Sequence, residues 1–109
     1  TSVVVSLLLE DTHQERSQAL LRRYARPYAV SDWTIAEVAS VVARHVREYK
    51  LTGLEAEEVL GTLRTWMRGS AQVYEVQSQD VLAATDMLCR WRTGLRTPDA
   101  LHLAIARRI

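Results

Sequence analysis

Two acidic residues of this chain stand where carboxylates often do chemistry, each close to the predicted start of a helix. Glu37 lies in "SDWTIAEVAS" and Asp99 lies in "RTPDALHLAIARR". If both helices begin at one edge of a parallel sheet, the two carboxylates converge where open α/β sheets bind ligands. Converging carboxylates raise each other's pKa unless a cation neutralises them, and Mg²⁺ and Mn²⁺ prefer oxygen ligands. If the two acids do converge, a divalent metal bound between them can activate water and stabilise a reacting phosphate.

Both acids also have a purely structural interpretation, which stays open at this stage. Thr34 and Glu37 have the spacing of a capping box, in which a hydroxyl and a carboxylate bind the free N–H groups of a helix start. Thr97 is the predicted cap of the last helix and Pro98 its first residue. Asp99 then lies in the first turn, where the helix dipole stabilises a negative charge by about 0.3–1 kcal/mol. If every such acid is only structural, the chain is a helical interaction protein and its two acids lie far apart.

The remaining reactive side chains form no comparable pattern. His13 and His45 lack the spacing to a second His or to a Cys that a zinc site needs. Cys89 lies on an apolar stripe, which predicts a core position. Three tryptophans could stack on RNA bases, although tryptophan more often fills a core or an interface. They are Trp33, Trp66 and Trp91. Three arginines before Asp99 could bind phosphates or face solvent. They are Arg90, Arg92 and Arg96.

Composition predicts one soluble domain without a strong charge preference. The 109 residues are long enough for a single core. The charges of the 14 basic and 13 acidic residues nearly cancel, so the net charge does not indicate binding to nucleic acid or to an anionic membrane. A single cysteine excludes an internal disulfide and fits a reducing compartment. The apolar stretch "VVVSLLL" is too short to span a bilayer, and no secretion signal precedes it, so we expect a cytoplasmic protein.

Helix-period segments separated by short turns dominate the chain. We predict the order helix, helix, strand, helix, helix, strand, helix, helix, with "YAVS" and "VYEV" as the strands. Further capping boxes are predicted at Thr12 with Glu15 and at Thr52 with Glu55. Helices that alternate with short strands imply a parallel sheet with helices on its faces. Two strands do not make such a sheet alone, so we expect one more strand beyond each end of the chain.

Three segments, in this order, resemble those of a PIN domain: "TSVVVSLLLED", "YAVSDWTIAEVAS" and "LRTPDALHLAIARR". Within that family, the chain most resembles the ribonuclease toxins of bacterial VapBC toxin–antitoxin pairs. The resemblance covers essentially the whole chain, and "TPDALHLAIA" is its most specific part. It implies a helix-rich α/β, PIN-like fold, with a short parallel sheet flanked by helices and a single domain over residues 1–109.

The resemblance extends to individual positions. Thr1 and Ser2 match the residues that follow the family's first Asp, Glu37 matches its second acid, and Asp99 matches its third. The first Asp and its strand would precede Thr1, and the last acid and its strand would follow Ile109. We therefore expect the chain to be an excerpt of a longer polypeptide, with the PIN-like domain truncated at both ends.

What the resemblance implies is an endoribonuclease that hydrolyses RNA phosphodiesters with a water activated by Mg²⁺ or Mn²⁺. Glu37 and Asp99 would be the catalytic acids that hold the metal. Ser2 would orient one of the acids with its hydroxyl, and Thr97 would cap the helix that carries Asp99. The implied partners are RNA, a small VapB-like antitoxin and a second copy of the chain in a homodimer, with no membrane. The alternative is a PIN-like module without catalysis that binds RNA or protein.

Overall fold

The computed structural model describes residues 14–23 and 28–109. Over those ranges it contains five helices and a two-stranded parallel sheet, the helix-rich α/β arrangement expected from the sequence. In chain order the elements are α1 (Gln14–Arg23), β1 (Tyr28–Ser31), α2 (Trp33–Arg47), α3 (Gly53–Ser70), β2 (Ala71–Tyr74), α4 (Ser78–Leu88) and α5 (Thr97–Arg108). The first predicted helix and the cap predicted at Thr12 lie outside the described residues. Within the described ranges, none of the helices has the length and apolarity that crossing a membrane requires.

The chain divides into two compact units, Thr1–Tyr74 and Glu75–Ile109. The first unit holds α1, both strands, α2 and α3. Parallel strands need a crossover connection, and α2 with α3 supplies it. The second unit holds α4 and α5.

Strands β1 and β2 pair in parallel, with Tyr28 opposite Ala71 and Ser31 opposite Tyr74. β1 coincides with the predicted strand "YAVS", and the parallel pairing is as expected. β2 begins at Ala71, whereas the alternating pattern predicted a start at Val73. Pairing with β1, which fixes the register of the whole strand, sets these limits rather than local alternation.

The core of the first unit lies between α2 and α3. Val38 and Val42 are one turn apart on α2, and Leu63 and Met67 are one turn apart on α3. A spacing of four residues places each pair on one face of its helix. All four side chains are at most 3% exposed. Burying an apolar side chain of this size contributes about 1.5–3 kcal/mol, so this cluster holds α2 in place.

Helix α3 begins with the capping box that the sequence predicted. The Thr52 Oγ1 accepts a hydrogen bond from the Glu55 N–H at 3.1 Å, and the Glu55 Oε1 accepts one from the Thr52 N–H at 3.0 Å. Two backbone donors that the helix leaves unpaired are satisfied in this way. The box therefore fixes where the crossover turns from α2 into α3.

The second unit is an antiparallel helical hairpin, with the start of α4 joined to the end of α5. The Arg108 guanidinium donates from Nε to the Asp80 Oδ1 at 2.7 Å and from Nη2 to its Oδ2 at 3.0 Å. The Gln77 N–H also donates to the Asp80 Oδ2 at 2.9 Å, and the Arg108 Nη2 donates to the Glu75 carbonyl at 2.9 Å. Asp80 is 1% exposed. Hydrogen bonding to Arg108 lowers the pKa of Asp80, against the effect of burial.

Candidate active site

Glu37 lies in the second turn of α2 and is half-buried. Helix α2 follows β1 directly, and the Asp32 N–H donates to the Tyr74 carbonyl of β2 at 3.0 Å. This bond continues the pairing of the sheet past the end of β1 and fixes where α2 starts. Ligands of α/β sheets bind outside the carboxyl ends of the strands. Glu37 is therefore on the helix that leaves the sheet at the edge where the sequence predicted a site.

The capping box predicted at the start of α2 is wrong. The helix begins at Trp33 with Asp32 as its N-cap, and its first turn holds no acid. Thr34 is 4% exposed and lies inside the helix. The structural role that the sequence offered for Glu37 is thereby removed, although Glu37 does interact with another group of the chain.

A buried hydroxyl at the same strand end has no hydrogen-bond partner among the described residues. Ser31 is the last residue of β1 and is 6% exposed, and its Oγ is the unsatisfied atom. Leaving a buried polar group unpaired costs about 1–3 kcal/mol, so such atoms call for an explanation such as a bound ion or water. Sequence reasoning missed Ser31, whose only signal is a small polar residue at the end of an apolar strand.

Asp99 lies in the first turn of α5 and is exposed. Its Oδ2 accepts a hydrogen bond from the Arg96 N–H at 3.4 Å. Helix α5 begins at Thr97 and its N-cap is Arg96, so the prediction that Thr97 caps this helix is wrong by one residue. The positive end of the helix stabilises a carboxylate at this position. Because the hairpin is antiparallel, Asp99 lies at the end opposite the Asp80–Arg108 pair.

The chemistry of the predicted ligands fits a hard divalent cation. Glu37 and Asp99 offer carboxylate oxygens, which Mg²⁺ and Mn²⁺ prefer over nitrogen or sulfur. In residues 14–23 and 28–109, no three His, Cys, Asp or Glu side chains are grouped closely enough to hold a metal ion. Ser2, the other predicted site residue of the first unit, lies outside the described residues. The agreement with the predicted metal therefore concerns only the type of ligand, which is the carboxylate oxygen of Glu37 and Asp99.

The comparison with known families agrees with this architecture. The model of the PIN domain matches residues 1–109 of the chain. The chain belongs to the PIN domain family. PIN domains are generally nucleases and typically depend on divalent metals, so a nucleic-acid substrate is implied. Comparison with curated proteins and with solved structures finds no match.

The tryptophans of this PIN domain occupy different environments. Trp66 is half-buried and stacks on Tyr28, with ring centroids 6.0 Å apart and planes at 16°. Trp33 is 36% exposed, whereas Trp91 is 83% exposed. Cys89 is exposed as well, which corrects the core position predicted for it. The apolar stripe of α4 does not reach Cys89 because the helix ends just before it.

A groove of about 480 Å³ runs along α4 and α5 in the second unit. Its lining mixes charged, neutral polar and apolar residues: Gln79, Asp80, Ala83, Asp86, Met87, Arg90, Ala104, Arg107 and Arg108. Asp99 is not among them. Since this groove contains neither predicted catalytic acid, we do not assign the nuclease chemistry of the PIN domain to it.

Proposed function

We propose that this PIN domain is a Mg²⁺- or Mn²⁺-dependent endoribonuclease that hydrolyses RNA phosphodiesters, and that it is the VapC-like toxin of a toxin–antitoxin pair. The observation that carries the proposal is the position of Asp99. This acid is exposed in the first turn of α5, inside the segment "TPDALHLAIA" that most resembles those toxins. Membership of the PIN family over residues 1–109 supports a nuclease.

Glu37 and Asp99 are the proposed catalytic residues, and both would hold the metal. When bound, Mg²⁺ or Mn²⁺ supplies positive charge that lowers the pKa of a bound water and stabilises the reacting phosphate. The Arg96 N–H and the positive end of α5 favour an aligned, negative Asp99 carboxylate. We propose that Ser2 orients one of the acids through its hydroxyl. Thr97 is the first residue of α5, and we propose that it helps to fix the aim of Asp99 by its place at the start of that helix.

The proposed partners follow from the VapC-like assignment. They are an RNA substrate, a VapB-like antitoxin whose tail covers the acids, and a second copy of the chain. An arginine on that tail would pair with the carboxylates and compete with the metal, because hydrogen bonds between charged groups are strong. We also propose that residues 1–109 function as one PIN-like domain and that the protein is cytoplasmic.

Metal-dependent cleavage of a single-stranded RNA tests the proposal. Protein treated with EDTA should leave the RNA intact and should cut it once Mg²⁺ or Mn²⁺ is added. Glu37→Gln and Asp99→Asn should each lower the cleavage rate about a hundredfold or more, as the loss of one charge-stabilising group typically does. Asp86→Asn is the matched control, because it neutralises another exposed acid of the same hairpin. This variant should cut RNA at the parent's rate.

Stability measurements separate lost chemistry from lost folding. Asp99 is exposed and accepts one long hydrogen bond, so Asp99→Asn should change the free energy of unfolding by less than about 1 kcal/mol. Thermal unfolding followed by circular dichroism checks this. Cleavage by Asp99→Asn at the parent's rate would refute its role as a ligand. A parent that binds RNA in the presence of metal but never cuts it would replace the nuclease with the non-catalytic binding module.

A further inference from the structure

The loop between α4 and α5, Cys89–Arg96, presents a tryptophan that folding does not use. Trp91 is 83% exposed, and its φ is 49°. A positive φ is unfavourable for a bulky side chain. Trp91 therefore contributes neither to a core nor to a favourable backbone conformation.

The same loop carries three arginines and no acid. They are Arg90, Arg92 and Arg96. All three are exposed, and none forms an ion pair with any residue in the part of the chain that the structure describes. The planar guanidinium group matches a phosphate with two parallel hydrogen bonds. The charge of the loop therefore complements a polyanion.

Backbone hydrogen bonds hold the loop in place. The Arg90 N–H donates to the Met87 carbonyl at 3.2 Å, and the Trp91 N–H donates to the Leu88 carbonyl at 3.3 Å. A loop whose backbone is already ordered loses less conformational entropy when a ligand binds it. The loop joins the end of α4 to the start of α5, so it lies at the same end of the hairpin as Asp99.

We propose that Trp91 stacks on a base of single-stranded RNA while the arginines of the loop bind the adjacent phosphates. The bound RNA would then lie at the end of the hairpin that carries Asp99. This inference rests on the proposed function, which makes RNA the substrate. Proteins bind single strands by combining positive charge with aromatic rings, because every base has a face that can stack. Paired bases do not offer that face, so the loop should favour single-stranded over duplex RNA.

The chain contains a matched control for Trp91. Tyr49, in the turn after α2, is 97% exposed and has a φ of 60°. Its neighbours Glu48 and Lys50 pair with each other, with Oε2 and Nζ 3.1 Å apart. Tyr49 is therefore an exposed aromatic residue in the same backbone conformation, but part of the positive charge beside it is neutralised. Tyr49→Ala should leave RNA affinity unchanged.

Fluorescence anisotropy of a fluorescein-labelled single-stranded RNA, measured in EDTA, reports affinity without cleavage. Trp91→Ala should weaken binding about tenfold, which corresponds to about 1.4 kcal/mol, and Trp91→Phe should restore most of it. Arg92→Ala should reduce the slope of log affinity against log salt concentration by about 0.7, the value for one phosphate contact on a single strand. Trp91→Ala should leave that slope unchanged, because stacking releases no counterions.

Three results would overturn the inference. They are equal affinities of the parent, Trp91→Ala and Tyr49→Ala, tighter binding of duplex than of single-stranded RNA, and no RNA binding by the parent. The cleavage assay separates this inference from the proposed function. Parent-like RNA binding by Trp91→Ala, with no cleavage by Asp99→Asn, would refute only the proposal that the loop binds RNA. Weakened binding by Trp91→Ala, with full cleavage by Asp99→Asn, would refute only the catalytic assignment.

Discussion

The packing of α2 on α3 should depend strongly on one side chain. Leu63 has no exposed surface and lies in the cluster formed with Val38, Val42 and Met67. Leu63→Ala removes most of that side chain from a site that two helices enclose, so the cavity should close only in part. Substitutions of this kind cost about 2.7–5 kcal/mol, and complete burial favours a value of about 3 kcal/mol or more. At roughly 4 °C or more per kcal/mol, Tm should fall by at least about 12 °C.

Leu54 provides the comparison, because it lies on the same helix and is 75% exposed. Leu54→Ala should change the free energy of unfolding by no more than about 0.5 kcal/mol. Chemical denaturation followed by circular dichroism measures both variants against the parent. Equal losses in the two variants, or a loss below about 1 kcal/mol for Leu63→Ala, would show that the first unit is not organised around this cluster.

Two further predictions concern the cap of α3 and the ion pair of the hairpin. Thr52→Ala removes the hydroxyl that accepts the Glu55 N–H and should lower the free energy of unfolding by about 1 kcal/mol, measured by urea denaturation. Arg108 holds the pKa of Asp80 below its ordinary value of 3.8. The stability that this pair adds is present above the unfolded pKa and is lost as pH falls through the lower folded pKa. Asp80→Asn should therefore be less stable than the parent at neutral pH, and its Tm should fall less than the parent's in acid. If the Tm of Asp80→Asn fell in acid as much as that of the parent, the Asp80–Arg108 pair would not be the source of this acid sensitivity.

The sequence predicted correctly those features of the fold that depend on residues close together in the chain. The strand "YAVS" is β1, and the capping box at Thr52 and Glu55 forms with both hydrogen bonds. Each of these features involves residues only a few positions apart. Tertiary contacts decide other boundaries: α2 begins at Trp33, earlier than predicted, where the Asp32 N–H bonds to β2. The residues around Asp32 do not reveal this start, because the hydrogen-bond partner of Asp32 lies in β2.

Residue type and spacing were enough to single out Glu37 and Asp99, because an acid near a helix start after a strand or turn is visible in the sequence. Their shared role as metal ligands stays a prediction. The ion pair of Asp80 gave no local signal, since its partner Arg108 is 28 residues away. In the sequence alone, Asp80 and Asp99 are both first-turn acids. Only the partner distinguishes the residue that holds the hairpin from the one proposed for catalysis.

The Asp80–Arg108 contact also has a consequence for how the second unit assembles. It links the first turn of one helix to the last residue of the other, across 28 positions. Neither helix can gain from it until both have formed, so their ordering is cooperative. Helix termini usually open before the rest of a structure, but here the final turn of α5 is anchored and should resist fraying.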